Sequence, residues 1–450
     1  MTTERSLTFV VRLLVLTAVA LAAAAGARTA RPSTTTLPPG NAVEQWNKIA
    51  EDTVVGSGAF QNEGFEYMAY ESTAVYDAVT SIARRGYKPL LPKFKAWRHA
   101  SPDAAVVEAA YRTLSHYFPA AAATLDAQHA AALAAIPDGP AKLSGQRIGL
   151  IAADQVIQAR TGDGVVTPIG STSSFPTLTP GPGVWRLTPP YLAPQTPWVG
   201  NVKPFLLQSA TQFMPGPPPA LSSAEWVAAF NKLKTEGGAA STVRTADQTN
   251  IAKFYTANVV RQYNTAIRSL TDARHLRLAD TARLAAMVNV VAADTGITVM
   301  HAKYHYLFWR PVTAIDPTSA SADGFGPKPG FDDGNAATVE QAGWRPLLTT
   351  PNHPEYPCAH CSLTSAMAQV FSTFLRTDQI NLNLTGFDPK GPAGNLNAVR
   401  HFATVDDLRT EVANARMWGG LHYPFSTVAG LNLGLGVAKY DLANAFTKGG

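Results

Sequence analysis

Apolar side chains recur at helical spacing along most of this chain, so its core must be built from packed helices. In residues 62–82, Phe65, Met68, Ala69, Ser72, Val75 and Tyr76 fall on one helix face. The same pattern predicts helices over 43–56, 102–117, 120–135, 140–161, 223–236, 246–270, 278–310 and 359–375. Thr245 with Gln248 reads as a capping box, and Thr404, with Asp407 at the third position, caps a helix reaching Met417. Pro311 is expected to end the 278–310 helix, because a residue before proline avoids the helical region. A last helix runs from Pro424 to about Phe446, and 381–385 with 398–402 are the only candidates for a small hairpin. The predicted fold is therefore all-α, a helical bundle with long Pro-rich loops.

Between about 165 and 220 the periodicity gives way to prolines, including Pro189-Pro190 and Pro217-Pro218-Pro219. A connection that long is expected to pack against the body or line an entrance. At the N-terminus, Arg5 and Arg12 precede an apolar run over 13–25 and a small-residue cleavage site at Ala25-Gly26-Ala27. This reads as a signal peptide over 1–27, a disordered Thr/Pro-rich leader over 28–42, and one helical catalytic domain over 43–450. Within that domain, 43–220 would supply the N-terminal helices and the wrap, and 221–450 the site. The apolar run is short for a bilayer span of ~20 residues, and no later segment reads as a membrane span. The mature chain is expected to be soluble and exported, secreted or periplasmic, without a stable membrane anchor.

A formal charge of +5 over 450 residues, without a long Lys/Arg run, leaves no nucleic-acid footprint but suits an anionic substrate. The only cysteines, Cys358 and Cys361, cannot make a disulfide scaffold, so stability must come from the apolar core. The oligomeric state is left open.

Three short stretches in the last third carry the chemistry: Lys303-x6-Arg310-Pro311, Pro357-Cys358-Ala359-His360 and Arg416-x5-His422. Lys303 and Arg310, seven apart, should share a face of an otherwise apolar helix, where burying two cations is expensive unless an anion meets them. Alternatively they reach solvent or pair with Asp294 or Asp316. His360 lies where a proline-rich loop enters a helix, and free N–H groups of a first helical turn make an anion site. Arg416 closes one helix and His422 opens the next, with Gly419-Gly420 turning the chain between them. Taken singly, Arg416 could simply complement a helix C-terminus and His360 could be a cap. Together they form a cradle for a tetrahedral oxyanion: Arg as a planar fork, Lys as a point charge, and two imidazoles to bond the central atom and move protons.

In this order the motifs resemble the signature of the vanadium-dependent haloperoxidase and type 2 phosphatidic acid phosphatase superfamily. Phe308-Trp309-Arg310-Pro311-Val312-Thr313-Ala314-Ile315, His353-Pro354-Glu355-Tyr356-Pro357 and Trp418-Gly419-Gly420-Leu421-His422 are similar to its bacterial haloperoxidase-like branch. The resemblance implies a helical bundle in which Lys303, Arg310 and Arg416 bind the equatorial oxygens of vanadate or phosphate. It implies an N–H from Ala359, a side-chain contact from Cys358 where a serine is usual, and His360 as acid–base residue. His422 would be the axial vanadium ligand of a peroxidase acting on hydrogen peroxide, halide and an organic acceptor. In a phosphatase, which needs no vanadate, it would be the nucleophile attacking a phosphoester.

The chain departs from the family pattern at four places. Cys358-Ala359 replaces Ser-Gly, Ala415 replaces a serine, Met300-His301 stands where relatives often have Trp-Asp, and Ser426 stands where the phosphatase pattern has an aspartate to orient the imidazole. Those changes leave a catalytically impaired anion-binding relative as a third reading. The Cys358-x-x-Cys361 string also resembles a thioredoxin-like redox motif, but no βαβ pattern surrounds it, so a structural or regulatory disulfide is the alternative. Those cysteines with His360 lack further ligands for zinc, and His301 with His305 form an isolated pair.

Overall fold

Side-chain caps decide where most of the helices start. Asn41 and Glu44 close a capping box on α1 (Ala42–Gly56). Ser101 caps α3 (Pro102–Tyr117), which follows α2 (Gln61–Ile82), and α4 (Ala122–Ala134) and α5 (Pro140–Arg160) complete the N-terminal group. After the proline-rich wrap, Ser223 caps α6 (Ala224–Gly237) and the Thr245–Gln248 box starts α7 (Ala246–Phe254). The remaining helices are α8 (Val259–Arg274), α9 (Leu278–Tyr306), the short α10 (Pro311–Ile315), α11 (Ala359–Leu375), α12 (Val405–Trp418) and α13 (Pro424–Asn444). The computed structural model describes residues 35–448, apart from 83–85, 93, 95, 98, 173, 174, 176–178, 180, 192, 317–331 and 388–397. The expected signal peptide over 1–27 lies outside the described residues, as does the leader over 28–34; at its far end Asn41 and Ala42 already belong to the cap and first turn of α1.

The only sheet among the described residues is an antiparallel hairpin, β1 (Leu382–Gly386) with β2 (Ala398–Phe402), in which Leu382 faces Phe402. The rest of Leu37–Gly450 is one compact helical unit. Its central element is α9, buried on almost every side between α2, α11 and α13. By length and composition α9 would also pass for a membrane span, contrary to the expectation that no such segment follows the N-terminus; its burial inside the body makes it the core helix.

Two helix boundaries differ from the sequence reading, and both matter for the site. The segment read as one helix over 246–270 is broken, because Asn258 takes the N–H groups of Val260 and Arg261 and starts α8 afresh. The helix read over 278–310 stops at Tyr306, where Leu307 turns left-handed (φ 50°). Pro311 begins α10 at its first position instead of ending α9, which suits a residue with no N–H to offer. Arg310 is thus the extended residue before α10 and not a second cation on the Lys303 helix.

Glycines set the closest helix contacts. A Cβ on Gly434 of α13 would lie 1.9 Å from the carbonyl oxygen of Ser362 on α11, and one on Gly430 would lie 2.4 Å from that of Cys358. Gly434→Ala is therefore expected to force α11 and α13 apart and cost about 1–3 kcal/mol. Gly56→Ala, where nothing lies within 4 Å, should leave stability nearly unchanged. Urea or thermal midpoints of the two variants test this; a Gly434→Ala protein as stable as the wild type would refute the close packing.

Candidate oxyanion site

Lys303, Arg310, Arg416 and His422 are all buried, with relative exposures of 0%, 0%, 3% and 1%. Neither Asp294 nor Asp316 neutralises the first two. Asp294 accepts the N–H groups of Phe205, Leu206 and Leu207, and Asp316 pairs with Arg345. Backbone carbonyls hold the cations instead. Lys303 Nζ donates to Pro354 O (2.9 Å) and Glu355 O (2.8 Å). Arg310 donates through Nε to His353 O (2.9 Å) and through Nη1 to Leu421 O (3.1 Å). Arg416 Nη1 donates to Tyr255 O (3.2 Å). That last acceptor exists because the chain breaks between α7 and α8, which frees a carbonyl from the helical ladder.

The two sides of the cradle are tied through His422. Its Nδ1 lies 2.8 Å from Glu355 Oε1, and the same oxygen accepts the N–H of Tyr423 at 3.1 Å. Oε1 is therefore an acceptor and Nδ1 carries the proton. The other nitrogen, Nε2, faces Arg310 Nη1 at 3.4 Å; a guanidinium only donates, so Nε2 keeps its lone pair. Arg310 Nη2 likewise meets His353 Nδ1 at 3.0 Å. His422 can be delivered there because Gly420 adopts φ 75° and its Cα side lies against Gly237; a Cβ would come within 2.4 Å of Gly237 O.

An aromatic group walls this end of the site. Trp226 stacks on Trp309 (centroids 5.9 Å apart) and Tyr423 on Phe425 (5.3 Å), and Tyr356 joins the same cluster. Water is thereby kept from one side of the cations.

Burial and mutual repulsion shape the electrostatics. Burial, then Arg310 and Arg416, hold the Lys303 ammonium well below its usual range, with Glu355 opposing. Burial lowers both arginines, which nonetheless stay protonated near neutrality. Burial followed by the cations pushes His360, His422 and His353 well below the ordinary imidazole value, so all three are neutral. Burial raises the Glu355 carboxyl to about 7, with Lys303 and Arg310 pulling the other way. Two arginine cations and Lys303, whose charge burial and the arginines oppose, thus share one carboxylate, and that carboxylate is committed to His422.

The residues present fit an oxyanion. Arg416 Nε is buried without a partner, two of the three Lys303 protons are used, and the N–H groups of Ala359 and His360 precede the ladder of α11. Of the seven positions singled out in the sequence, Lys303, Arg310 and His422 are hydrogen-bonded to the 353–355 segment, Arg416 is held by Tyr255 O and acts on Lys303 and His360 electrostatically, and Ala359 and His360 stand on the first turn of α11. Cys358 departs from its expected part. Its sulfur is bonded to Cys361, so it has no thiol proton to give an anion. Sequence reasoning missed Glu355 and His353, although both lie in the His353-Pro354-Glu355-Tyr356-Pro357 phrase. Glu355 also corrects the inference drawn from Ser426, because it supplies from another segment the carboxylate that orients His422. Met300, on α9, is buried against Trp198 and Val199. His301 Nδ1 is 3.0 Å from Gly200 O, and no group of three metal-ligating residues occurs among the described residues.

Comparison with known proteins bears on the fold and on the stretch that carries the site. Residues 283–448 match the model of the VCPO second helical-bundle domain. Vanadium chloroperoxidase of Curvularia inaequalis is 26% identical over 183 residues, covering 34% of this chain and 29% of that protein, so the match spans under a third of the relative's length. A crystal structure of the first bacterial vanadium-dependent iodoperoxidase superposes with TM-score 0.72 at 20% identity, covering 92% of this chain and 99% of that one. A holo-type bacterial vanadium-dependent chloroperoxidase gives 0.66 at 16% identity, covering 90% and 97%. At those identities the likeness to the solved structures is one of fold. The fold is that of the bacterial vanadium-dependent haloperoxidases, and the site-bearing stretch 283–448 is similar to the second helical-bundle domain of the VCPO family.

Proposed function

We propose that this protein is a vanadate-dependent haloperoxidase that uses hydrogen peroxide to oxidise halide. The observation that carries the reading is a buried, neutral histidine whose bare Nε2 faces Arg310 and whose ring lies in the field of Lys303 and Arg416. Lys303, Arg310, Arg416 and the Ala359 N–H would hold the anion's oxygens, and His422 Nε2 would bond its central atom. Bound vanadate would supply a Lewis acid that activates peroxide toward halide without itself changing oxidation state. The chain's own part is to bind and orient. Glu355 keeps the proton on His422 Nδ1, the aromatic wall excludes water, and neutral His360 takes and returns a proton at the rim.

A phosphatase on the same scaffold is the second reading. The Glu355–His422 bond favours it, since an imidazole fixed by a carboxylate is also suited to nucleophilic attack on a phosphoester. Purified protein given orthovanadate, hydrogen peroxide and bromide is expected to brominate an organic acceptor. Hydrolysis of phosphate esters without vanadate, and no bromination with it, would establish the second reading instead.

Three outcomes follow from the assigned roles. His422→Ala should abolish stoichiometric vanadate binding, and retained binding in equilibrium dialysis would remove it as the residue that would bond the anion's central atom. Glu355→Gln should weaken vanadate affinity by about 10–100-fold, because the ligating imidazole loses the carboxylate that orients it. Binding should also take up protons. In the free site the cations hold His360 neutral; an anion cancels their field, raises the imidazole's pKa and so adds a proton. Sulfate, which does not titrate near neutrality, provides the check. Its calorimetric binding enthalpy at pH 6.5 should vary with buffer ionisation enthalpy in the sense of uptake, and release or no dependence would contradict the assignment.

A further inference from the structure

The cradle's roles leave Cys358 and Cys361, the chain's only two cysteines, without a task. They are bonded across the first turn of α11 with Cα atoms 5.3 Å apart. Cys358 is the N-cap, and its Sγ accepts the N–H of Cys361 at 3.2 Å. Both residues are buried against Gly430 of α13, where a Cβ would lie within 3.1 Å of Cys361 Cβ and 3.2 Å of Cys358 Cβ. Ala359 and His360, between them, are partly exposed. His360 feels Arg416, Lys303 and Arg310, so the turn that carries both sulfurs sits in the field of three cations.

The two sulfurs are not equivalent. In the dithiol form a Cys358 thiolate would sit at the positive end of a 17-residue helix and accept the Cys361 N–H already directed at it. Cys361 lies inside the first turn, within bonding range of Cys358 without any change in the helix. That polarity makes Cys358 the nucleophile and Cys361 the partner that closes the bond.

We propose that Cys358 and Cys361 form a second catalytic centre, a dithiol that reduces hydrogen peroxide, with the disulfide as its oxidised state. The Cys358 thiolate attacks one peroxide oxygen and breaks the O–O bond; the departing hydroxide takes a proton and leaves as water, giving Cys358 sulfenic acid. The Cys361 thiol then attacks that sulfur, a second water leaves, and the disulfide forms. A small external dithiol returns both thiols and is itself oxidised to its disulfide, so two electrons pass from dithiol to peroxide per cycle. Cys358 and Cys361 are fully buried, so the centre excludes a protein reductant and would take only small reagents such as peroxide and a small dithiol. The centre requires neither vanadate nor halide and is independent of the haloperoxidase reading.

The test uses the full chain freed of vanadate and halide. After reduction and anaerobic desalting, one equivalent of hydrogen peroxide should consume two thiols and restore the Cys358–Cys361 linkage seen by non-reducing peptide mapping. At pH 6.5 the folded protein should react at least about tenfold faster than the same chain unfolded in guanidine, from its larger thiolate fraction. Dithiothreitol should then sustain peroxide consumption. In Cys361→Ser, dimedone should trap sulfenic acid at Cys358, while Cys358→Ser should lose the fast reaction. A disulfide that resists dithiothreitol until the protein unfolds would overturn the proposal. So would folded thiols no faster than unfolded ones. Both measurements use the wild type, so they decide the matter even if a variant fails to fold, and bromination by the oxidised enzyme would stand or fall separately.

Discussion

Burying three cations with one shared carboxylate is the constraint to which the rest of this structure answers. Removing a guanidinium or ammonium from water costs several kcal/mol unless its protons find acceptors. Here the acceptors are backbone carbonyls, at residues 255, 353, 354, 355 and 421, all outside helical ladders. A regular bundle has no such carbonyls to offer in its interior. The break between α7 and α8, the 353–357 segment and the Gly419-Gly420 turn supply them. Carbonyl dipoles satisfy protons without cancelling charge, so the positive field survives for a ligand.

The same constraint accounts for the state of the histidines. Imidazoles beside buried cations stay neutral, and a neutral imidazole is useful as a ligand or nucleophile only if the correct nitrogen is bare. Glu355 makes that choice for His422. Tyr423 reinforces it through its N–H on the same oxygen, and its ring stacks on Phe425 within the aromatic wall. The orientation of one nitrogen thus depends on a segment 67 residues earlier in the chain.

The helices and two of their caps, Thr245 and Thr404, were legible in the sequence because both signals are local: apolar spacing, and a Thr three residues from its partner; the caps at Asn41, Ser101 and Ser223 were not read. The α3 limits and the Thr245 and Thr404 boxes came out as read. Apolar periodicity continues through 255–258 and 307–310, so it could not reveal that Asn258 and Leu307 interrupt it. The motif cations were legible as a set, but the reason for their proximity was not. Arg310 stands on the extended segment between α9 and α10 and does not share a helix face with Lys303. Glu355 escaped notice because its significance is its distance from His422, which no local pattern encodes. The 426 position drew attention because a family template expects an acid there; the fold supplies that acid from another segment.

A cradle anchored by backbone is also a rigid one. Each cation is held by groups that cannot rotate away, so the repulsion among Lys303, Arg310 and Arg416 is built in at folding and not relaxed when the site is empty. An entering oxyanion then meets donors already in place, and its charge removes a repulsion instead of inducing a rearrangement. Such preorganised charge favours most the species carrying the greatest negative charge at the centre, which for both candidate reactions is the five-coordinate one. The cradle is consequently indifferent to whether vanadium or phosphorus occupies that centre. Discrimination must come from the residues around it, and those are where this chain departs from the pattern its motifs resemble: a disulfide at 358, Met300 one turn before Lys303 on α9, and Glu355 in place of an acid at 426.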